Sequence, residues 1–275
     1  MKKGLLFVLT ILSLNAFAQA IESFNFTGLA NANGWTTHSG TAGQILAVTT
    51  PSGSGNSLSY PGLAASVGNR IELNSTWSED INKPIAIPGT TGYFSFLLNV
   101  LNTTGLTAAG NYFIGFAASA GATNVTIFFP RLHIKLGTTP NTFQLGILNT
   151  SGGTVSISYA PTEYPLNSTL FVVAKATATA PGSPITASLW VNPIPGAAEP
   201  AAAVTNSSGT STWATAGIQS IYLRQAAGTG NYEIDEIRAG ATWASVTPGS
   251  AASCVSYNTI AATACNTYSL NNQTY

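Results

Sequence analysis

Between Ile21 and Val246 the apolar residues come in short runs of about 5 to 10, rich in Val, Ile, Phe, Tyr, Leu and Thr and broken by Gly, Pro, Asn and Ser. β-Branched and aromatic side chains suit a pleated, half-buried surface, and the breakers supply the reversals between strands. The runs predict strands over Gln44–Thr49, Asn69–Leu73, Gly92–Leu101, Asn111–Ala117, Val125–Leu136, Phe143–Asn149, Leu170–Thr177, Ile185–Asn192, Ile218–Gln225 and Tyr232–Arg238. No window has the spacing of an amphipathic helix. Many short strands with frequent turn signals predict an all-β sandwich or barrel.

Successive side chains of a strand point to opposite faces, so alternation says which face is dry. Phe143, Leu145 and Ile147 oppose Thr142, Gln144 and Gly146; Ile71 and Leu73 oppose Arg70 and Glu72. Ile185, Ala187, Leu189 and Val191 oppose Thr186, Ser188, Trp190 and Asn192. Leu170–Val173 and Gly92–Leu101 alternate less, as expected of strands covered on both sides or bent by a bulge. Ala178–Pro184 reads as a hairpin loop, and the Pro-, Ala- and Ser-rich stretch Pro193–Thr212 as a surface excursion.

Composition narrows the function classes. Charged residues make up 7% of 275, with 9 basic and 9 acidic side chains, against roughly 25% in an ordinary globular domain. Such a chain has no basic field for phosphates, which excludes nucleic acid as a partner. The start, MKKGLLFVLTILSLNAFAQA, has a basic beginning, an apolar run and a small-x-small site at Ala16-Phe17-Ala18, which reads as a signal peptide over 1–18. A membrane span needs about 20 apolar residues, and Ser13, Asn15 and Gln19 interrupt the run. The expected mature chain is therefore exported and extracellular, without a transmembrane anchor. Losing Lys2 and Lys3 leaves 7 basic against 9 acidic residues, a net charge of −2.

Domain limits follow as 19–247 for the sandwich, 248–253 for a linker and 254–275 for a tail holding both cysteines, Cys254 and Cys265. In an exported chain a disulfide between them is allowed; two free thiols at the edge of an incomplete unit is the alternative, and both stand.

Two segments carry a resemblance. Ala187-Ser188-Leu189-Trp190-Val191-Asn192-Pro193, then Ile221-Tyr222-Leu223-Arg224, then Glu233-Ile234-Asp235-Glu236-Ile237-Arg238-Ala239-Gly240 with Thr242-Trp243-Ala244 resemble the last strands of concanavalin A-like, laminin-G-like jelly rolls. That resemblance implies a two-sheet antiparallel jelly-roll sandwich with six or seven strands to a sheet. The tail, with Ser256-Tyr257-Asn258 and Thr263-Ala264-Cys265-Asn266-Thr267-Tyr268, resembles the beginning of Cys- and Tyr-containing repeats in surface proteins exported by the type IX system of Bacteroidetes. It implies a bacterial cell-surface location and a longer protein.

Chemistry is scarce. Retaining glycoside hydrolysis needs two carboxyl groups about 5 Å apart, and one family on this fold takes them from E-x-D-x-E or E-x-D-x-x-E. Glu233-Ile234-Asp235 begins that pattern, but the second Glu would fall where Ile237 and Arg238 stand, and Glu236 should face away unless a bulge reorients it. His38 and His133 are far apart, and no phosphate loop, nucleophile elbow or zinc-binding His pair is present. Jelly rolls of this resemblance often carry a structural calcium; Asp235 and Glu22 are the candidate ligands if their strands pair, with an ion pair to Arg224 or Arg238, or bonds to turn amides, as the alternative.

Two surface features point to a glycan. On Phe129-Pro130-Arg131-Leu132-His133-Ile134-Lys135, alternation puts Arg131, His133 and Lys135 on one face, a cationic stripe suited to an anionic polysaccharide; a solvated strand face is its plain alternative. Trp190, on the polar face of its strand, offers an indole for stacking on a sugar ring, unless the Pro193–Thr212 excursion covers it. Trp35, Trp77, Trp213 and Trp243 stand near loops, as rim ligands or lids on the core. These features lead to a secreted, non-catalytic carbohydrate-binding or adhesion module. A glycoside hydrolase or polysaccharide lyase on the same fold is the first alternative and a structural spacer the second.

Overall fold

The computed structural model describes residues 20–48 and 56–250, together with a short antiparallel backbone pairing of Ser269–Leu270 with Gln273–Thr274. The leader and both cysteines lie outside the described residues, so the export and disulfide expectations fall there. In order, the strands are β1 (Ala20–Glu22), β2 (Thr36–Ser39), β3 (Leu46–Val48), β4 (Arg70–Asn74), β5 (Asp80–Ile87), β6 (Thr91–Leu106), β7 (Asn111–Ala117) and β8 (Phe128–Leu136). They continue with β9 (Thr142–Leu148), β10 (Ser158–Tyr159), β11 (Tyr164–Pro165), β12 (Leu170–Thr177), β13 (Thr186–Val191), β14 (Val204–Asn206), β15 (Ile218–Arg224) and β16 (Thr229–Gly240). One helical turn, α1 (Trp243–Val246), follows; the Thr242 hydroxyl caps it by accepting from the Ser245 amide.

The strands form two antiparallel sheets of eight, a two-sheet jelly roll. The back sheet runs β14-β13-β12-β6-β16-β4-β3, with β1 also on β16. The front sheet runs β10-β9-β8-β7-β15-β5-β2, with β11 also on β9. Alternation explains what fills the space between them. Phe94, Phe96, Leu98 and Val100 of β6 meet Phe113, Ile114 and Phe116 of β7, Leu132 and Ile134 of β8, and Phe143, Leu145 and Ile147 of β9. Their rings pack edge to face, as in Phe94–Phe116 at 4.9 Å and Phe113–Tyr232 at 5.2 Å. Each such ring contributes about 1.5–3 kcal/mol by leaving water.

β5 carries no alternation legible in Asp-Ile-Asn-Lys-Pro-Ile-Ala-Ile, and Pro84 cannot donate to a ladder. It forms because Ile81 and Ile87 reach the core, while its register against β15 shifts beside Ser220, the partner of Pro84. Gly92–Leu98 is buried throughout because β6 is covered on both sides: Tyr93 and Leu97 face away from the core into a second apolar cluster.

That second cluster decides which face of the molecule is open. Leu58 and Leu63 from loop 56–68, and Trp243 and Val246 of α1, lie over Leu97, Phe171, Val173 and Trp190 of the back sheet. Segment 193–203 joins them: the Trp190 indole donates to the Pro200 carbonyl at 2.9 Å, and Trp243 donates to the Ala197 carbonyl at 2.9 Å. The Leu58 amide donates to Asp235 at 2.7 Å and the Val67 amide to Glu236 at 2.9 Å, which ties the loop to β16. The outer face of the back sheet is thus roofed, whereas the front sheet presents its outer face at β15, β7 and β8.

Candidate functional site

On the outer face of the front sheet, register places the polar residues in rows. Asp80 of β5 pairs with Arg224 of β15, whose guanidinium lies 4.2 Å from the Tyr112 ring and donates to the Tyr112 carbonyl at 3.3 Å. Tyr112 of β7 pairs with His133 of β8, and their rings stand 5.8 Å apart. One row over, Asn82 pairs with Tyr222, Tyr222 with Gly115 and Gly115 with Arg131. A Cβ on Gly115 would stand 2.0 Å from the Pro130 carbonyl oxygen and 2.9 Å from the Tyr222 hydroxyl, so this position needs a bare backbone. Lys135, farther along β8, sits 4.2 Å over the Tyr159 ring.

Arg131 is 5.2 Å from the Tyr112 ring and 5.8 Å from Phe128, which packs at 4.7 Å on Tyr222. The result is a basin of about 400 Å³ lined by His38, Asp80, Tyr112, Phe128, Tyr222 and Arg224, with Asn124 and Val125 of loop 118–127 on its rim. Asn82 holds that loop reciprocally, donating to the Gly121 carbonyl at 2.8 Å and accepting from its amide at 3.0 Å.

Two buried groups here have no hydrogen-bond partner among the described residues: the Tyr222 hydroxyl, in the basin lining, and both ring nitrogens of His133, whose ring stands against Tyr112 beside the basin. Buried polar groups are nearly always bonded, so each exception asks for an explanation. Burial first, then the charges of Arg131 and Arg224, push the His133 pKa down to about 4, which keeps the imidazole neutral near pH 7. Burial pushes the Tyr222 phenol well above its ordinary range. Asp80 is raised to about 6 by burial, against the opposing pull of Arg224 and of the Gln225 amide that donates to it. In sum, the arrangement offers guanidinium groups for an anion, aromatic faces for a ring, a neutral imidazole and phenolic hydroxyls.

Arg131, His133 and Lys135 do share the outer face of β8, while Leu132 and Ile134 enter the core, but the expected cationic stripe is broken: His133 is buried and neutral, Lys135 lies over Tyr159, and Arg131 alone adjoins the basin. Its neighbours Tyr112, Tyr222, Arg224 and Asp80 come from three other strands, which no local pattern brings together. Their signal was the shared face of Ser220, Tyr222 and Arg224, two positions apart on one strand. Trp190 is elsewhere: it is 4% exposed, on the roofed back sheet, and presents no face to a sugar. Trp35, Trp213 and Trp243 are likewise buried.

Glu22 and Asp235 are on paired strands, Glu22 opposite Ile237, yet their oxygens are taken by protein donors. Glu22 accepts from the Phe24 amide at 2.7 Å and the Trp35 indole at 3.1 Å and pairs with Lys83; Asp235 accepts from the Leu58 and Glu236 amides, both at 2.7 Å. Among the described residues no group of three or more His, Cys, Asp or Glu could hold a metal ion. This donor set does not fit the calcium that the resemblance implies. Nor does β16 assemble a hydrolytic pair. A bulge does reorient Glu236, at φ 51°, but it turns the side chain into a buried ion pair with Arg238, while Glu233 binds Arg70 at 2.6 Å. Asp80 is the single carboxylate lining the basin. A cleft of about 460 Å³ at one end of the sandwich, lined by Pro88, Pro181, Trp213 and Gln219 among others, carries no ionisable side chain.

No protein-family model and no curated protein sequence matches the chain. Among solved structures, a variant of an alginate lyase in complex with alginate tetrasaccharide is similar over 82% of this chain and 97% of that one, with a TM-score of 0.50 and 12% identity. The fold is a two-sheet antiparallel jelly roll. An endo-β-1,4-glucuronan lyase from the fungus Trichoderma reesei covers 82% of this chain and 98% of its own at a TM-score of 0.48 and 12% identity. A lectin from Bauhinia forficata in complex with GalNAc covers 81% and 97% at 0.31 and 11%. At these identities the likeness is one of architecture, and the chemistry has to be argued from the basin.

Proposed function

We propose that the protein binds an acidic polysaccharide in the front-sheet basin and cleaves it by β-elimination. The observation that carries this reading is a basin lined by Arg224 and flanked by Arg131, which lies over its Tyr112 and Phe128 rings, beside a Tyr222 hydroxyl with no hydrogen-bond partner among the described residues. Elimination removes the proton α to a uronate carboxylate, forms a carbon–carbon double bond and expels the glycosidic oxygen β to that carboxylate, which takes up a proton. It needs a cation to neutralise the carboxylate, a base and an acid. The guanidinium groups supply the first; His38, Asp80 and the Tyr112 and Tyr222 hydroxyls are the basin groups able to accept or donate a proton, with neutral His133 beside them. A two-carboxylate hydrolysis has no pair to work with here. The shared architecture with an alginate lyase is a second support. Export and cell-surface placement, expected from the leader and the tail, belong to the same proposal.

A non-catalytic binding module is the second reading. It is favoured by the depth of His133 and Tyr222, at 6% and 1% exposure. One experiment separates the two: incubation with alginate, glucuronan and hyaluronan, following both retention in affinity electrophoresis and the ultraviolet absorbance of unsaturated uronate ends. The lyase reading expects retention and new chromophore. Retention alone leaves a binding module, and neither sinks both. In the Arg131→Ala protein, retention should weaken tenfold or more, the loss of one charge-assisted contact of about 1.5–3 kcal/mol.

A further inference from the structure

We infer that the basin takes a glycan in which an anionic sugar stands beside an uncharged one, with Asp80 setting the uncharged position. The inference rests on the acidic-polysaccharide reading and names the substrate within it. The two ends of the basin differ in charge. At one end, Arg131 of β8 lies over the Tyr112 and Phe128 rings that line the basin and is not ion-paired with an acid among the described residues. At the other end, on β5 and β2, stand Asp80 and His38.

Asp80 is only loosely engaged. One oxygen accepts from the Gln225 amide at 3.1 Å, and the other is 3.7 Å from Arg224 Nε, beyond a good hydrogen bond. Acceptor capacity therefore remains on a carboxylate that lines the cavity, and a carboxylate has no proton to donate. It accepts from the hydroxyl or amide hydrogens of a neutral sugar and repels a second carboxylate or sulfate. β5 and β8 are three strand spacings apart, about 14 Å, the reach of a short oligosaccharide. A polymer anionic at every unit would set one of its charges against Asp80; an alternating polymer would not.

The charged and titratable groups around Asp80 are Arg224 and Tyr222 from β15, His38 from β2, Tyr112 from β7 and Tyr232 from β16. Of these, Arg224 is the one standing cation, and it is shared with the Tyr112 ring. Burial holds the Asp80 pKa near 6. Its charge is thus present at neutral pH and is lost as the pH falls below that value.

The test compares two glycans with the same acid and different neighbours: hyaluronan fragments, where glucuronate alternates with N-acetylglucosamine, and glucuronan fragments, where every unit is glucuronate. Affinities are measured by calorimetry on the whole protein at neutral pH, under conditions too brief for cleavage. The expected preference for hyaluronan is about tenfold or more, since a like-charge contact is strongly unfavourable. Asp80→Asn should bring the ratio towards one by strengthening glucuronan binding, and Asp80→Glu should keep the preference. Lowering the pH through about 6 should erode it in the unaltered protein, a readout that needs no variant. Equal or tighter binding of glucuronan by the unaltered protein, or an unchanged ratio in Asp80→Asn, overturns the role of Asp80 while leaving the acidic-polysaccharide reading intact. No binding of either glycan removes both.

Discussion

At the scale of single residues, His133 joins stability to the basin. Its imidazole is buried beside Arg131 and Arg224, so the folded protein takes up a proton only near pH 4, whereas the unfolded chain does so near 6.5. The folded pKa lies below the unfolded one. Above about pH 6.5 both states are neutral and stability is at its full value; as the pH falls from there towards 4, the unfolded chain gains the proton first and stability is lost. The loss should reach at most about 3 kcal/mol, from roughly 1.4 kcal/mol per unit. Urea unfolding of the native protein and of His133→Gln, compared at pH values near 7 and near 4, checks this: the native protein should lose more. A difference between the two that does not change with pH would mean that folded His133 is protonated normally. Asp80 and Asp235, raised to about 6 and about 8, have the opposite sign, which is why the variant rather than the bare pH curve isolates His133. The sequence placed His133 beside Arg131 and Lys135 because all three are on one strand. It offered Arg224 only as a partner for Asp235 or Glu22, whereas Arg224 faces Asp80; 91 positions from His133, its field reaches the ring only through the β15-β7-β8 order.

At the scale of elements, two strands were legible to the residue from apolar and aromatic runs bounded by breakers: Asn111–Ala117 and Leu170–Thr177 stand as expected. β5 was not legible, since its polar side chains lie on the basin face and Pro84 hides the pattern; its place comes from pairing with β15, more than a hundred positions away. Loop 56–68 has no periodicity at all. One of its two ties to β16 runs through Asp235, and Asp235→Ala would leave the Leu58 and Glu236 amides buried and unpaired, a cost of about 2–4 kcal/mol. Amide exchange at Leu58 should then accelerate while glycan retention by the front sheet stays within about twofold, since the sites are distant enough to be nearly additive. Unaltered exchange at Leu58 would show that the apolar contacts of Leu58 and Leu63 hold the loop without the carboxylate.

At the scale of the whole molecule, the question is which sheet faces a ligand. Trp190 tests the answer. Buried against Trp243 at 5.1 Å and capped by the Pro200 carbonyl, it should cost about 3–5 kcal/mol when truncated to Ala. Acidic-glycan affinity of the folded fraction should remain. Thermal unfolding and calorimetry measured together distinguish this from a sugar-stacking role, in which affinity falls and stability does not. The sequence by itself determined the all-β class, the division of the alternating strands into two faces, and the placing of Arg131, His133 and Lys135 on one face of β8, because alternation is a local property that segregation from water writes directly into the order of residues. Only the tertiary structure decided that one outer face is roofed and the other open, and that Asp80, Arg224, Tyr112 and Tyr222 join Arg131. Those outcomes depend on strand order and on irregular loops, where contacts between residues as far apart as Asp80 and Gln225, 145 positions, are selected by the packing of the whole core rather than by any local pattern.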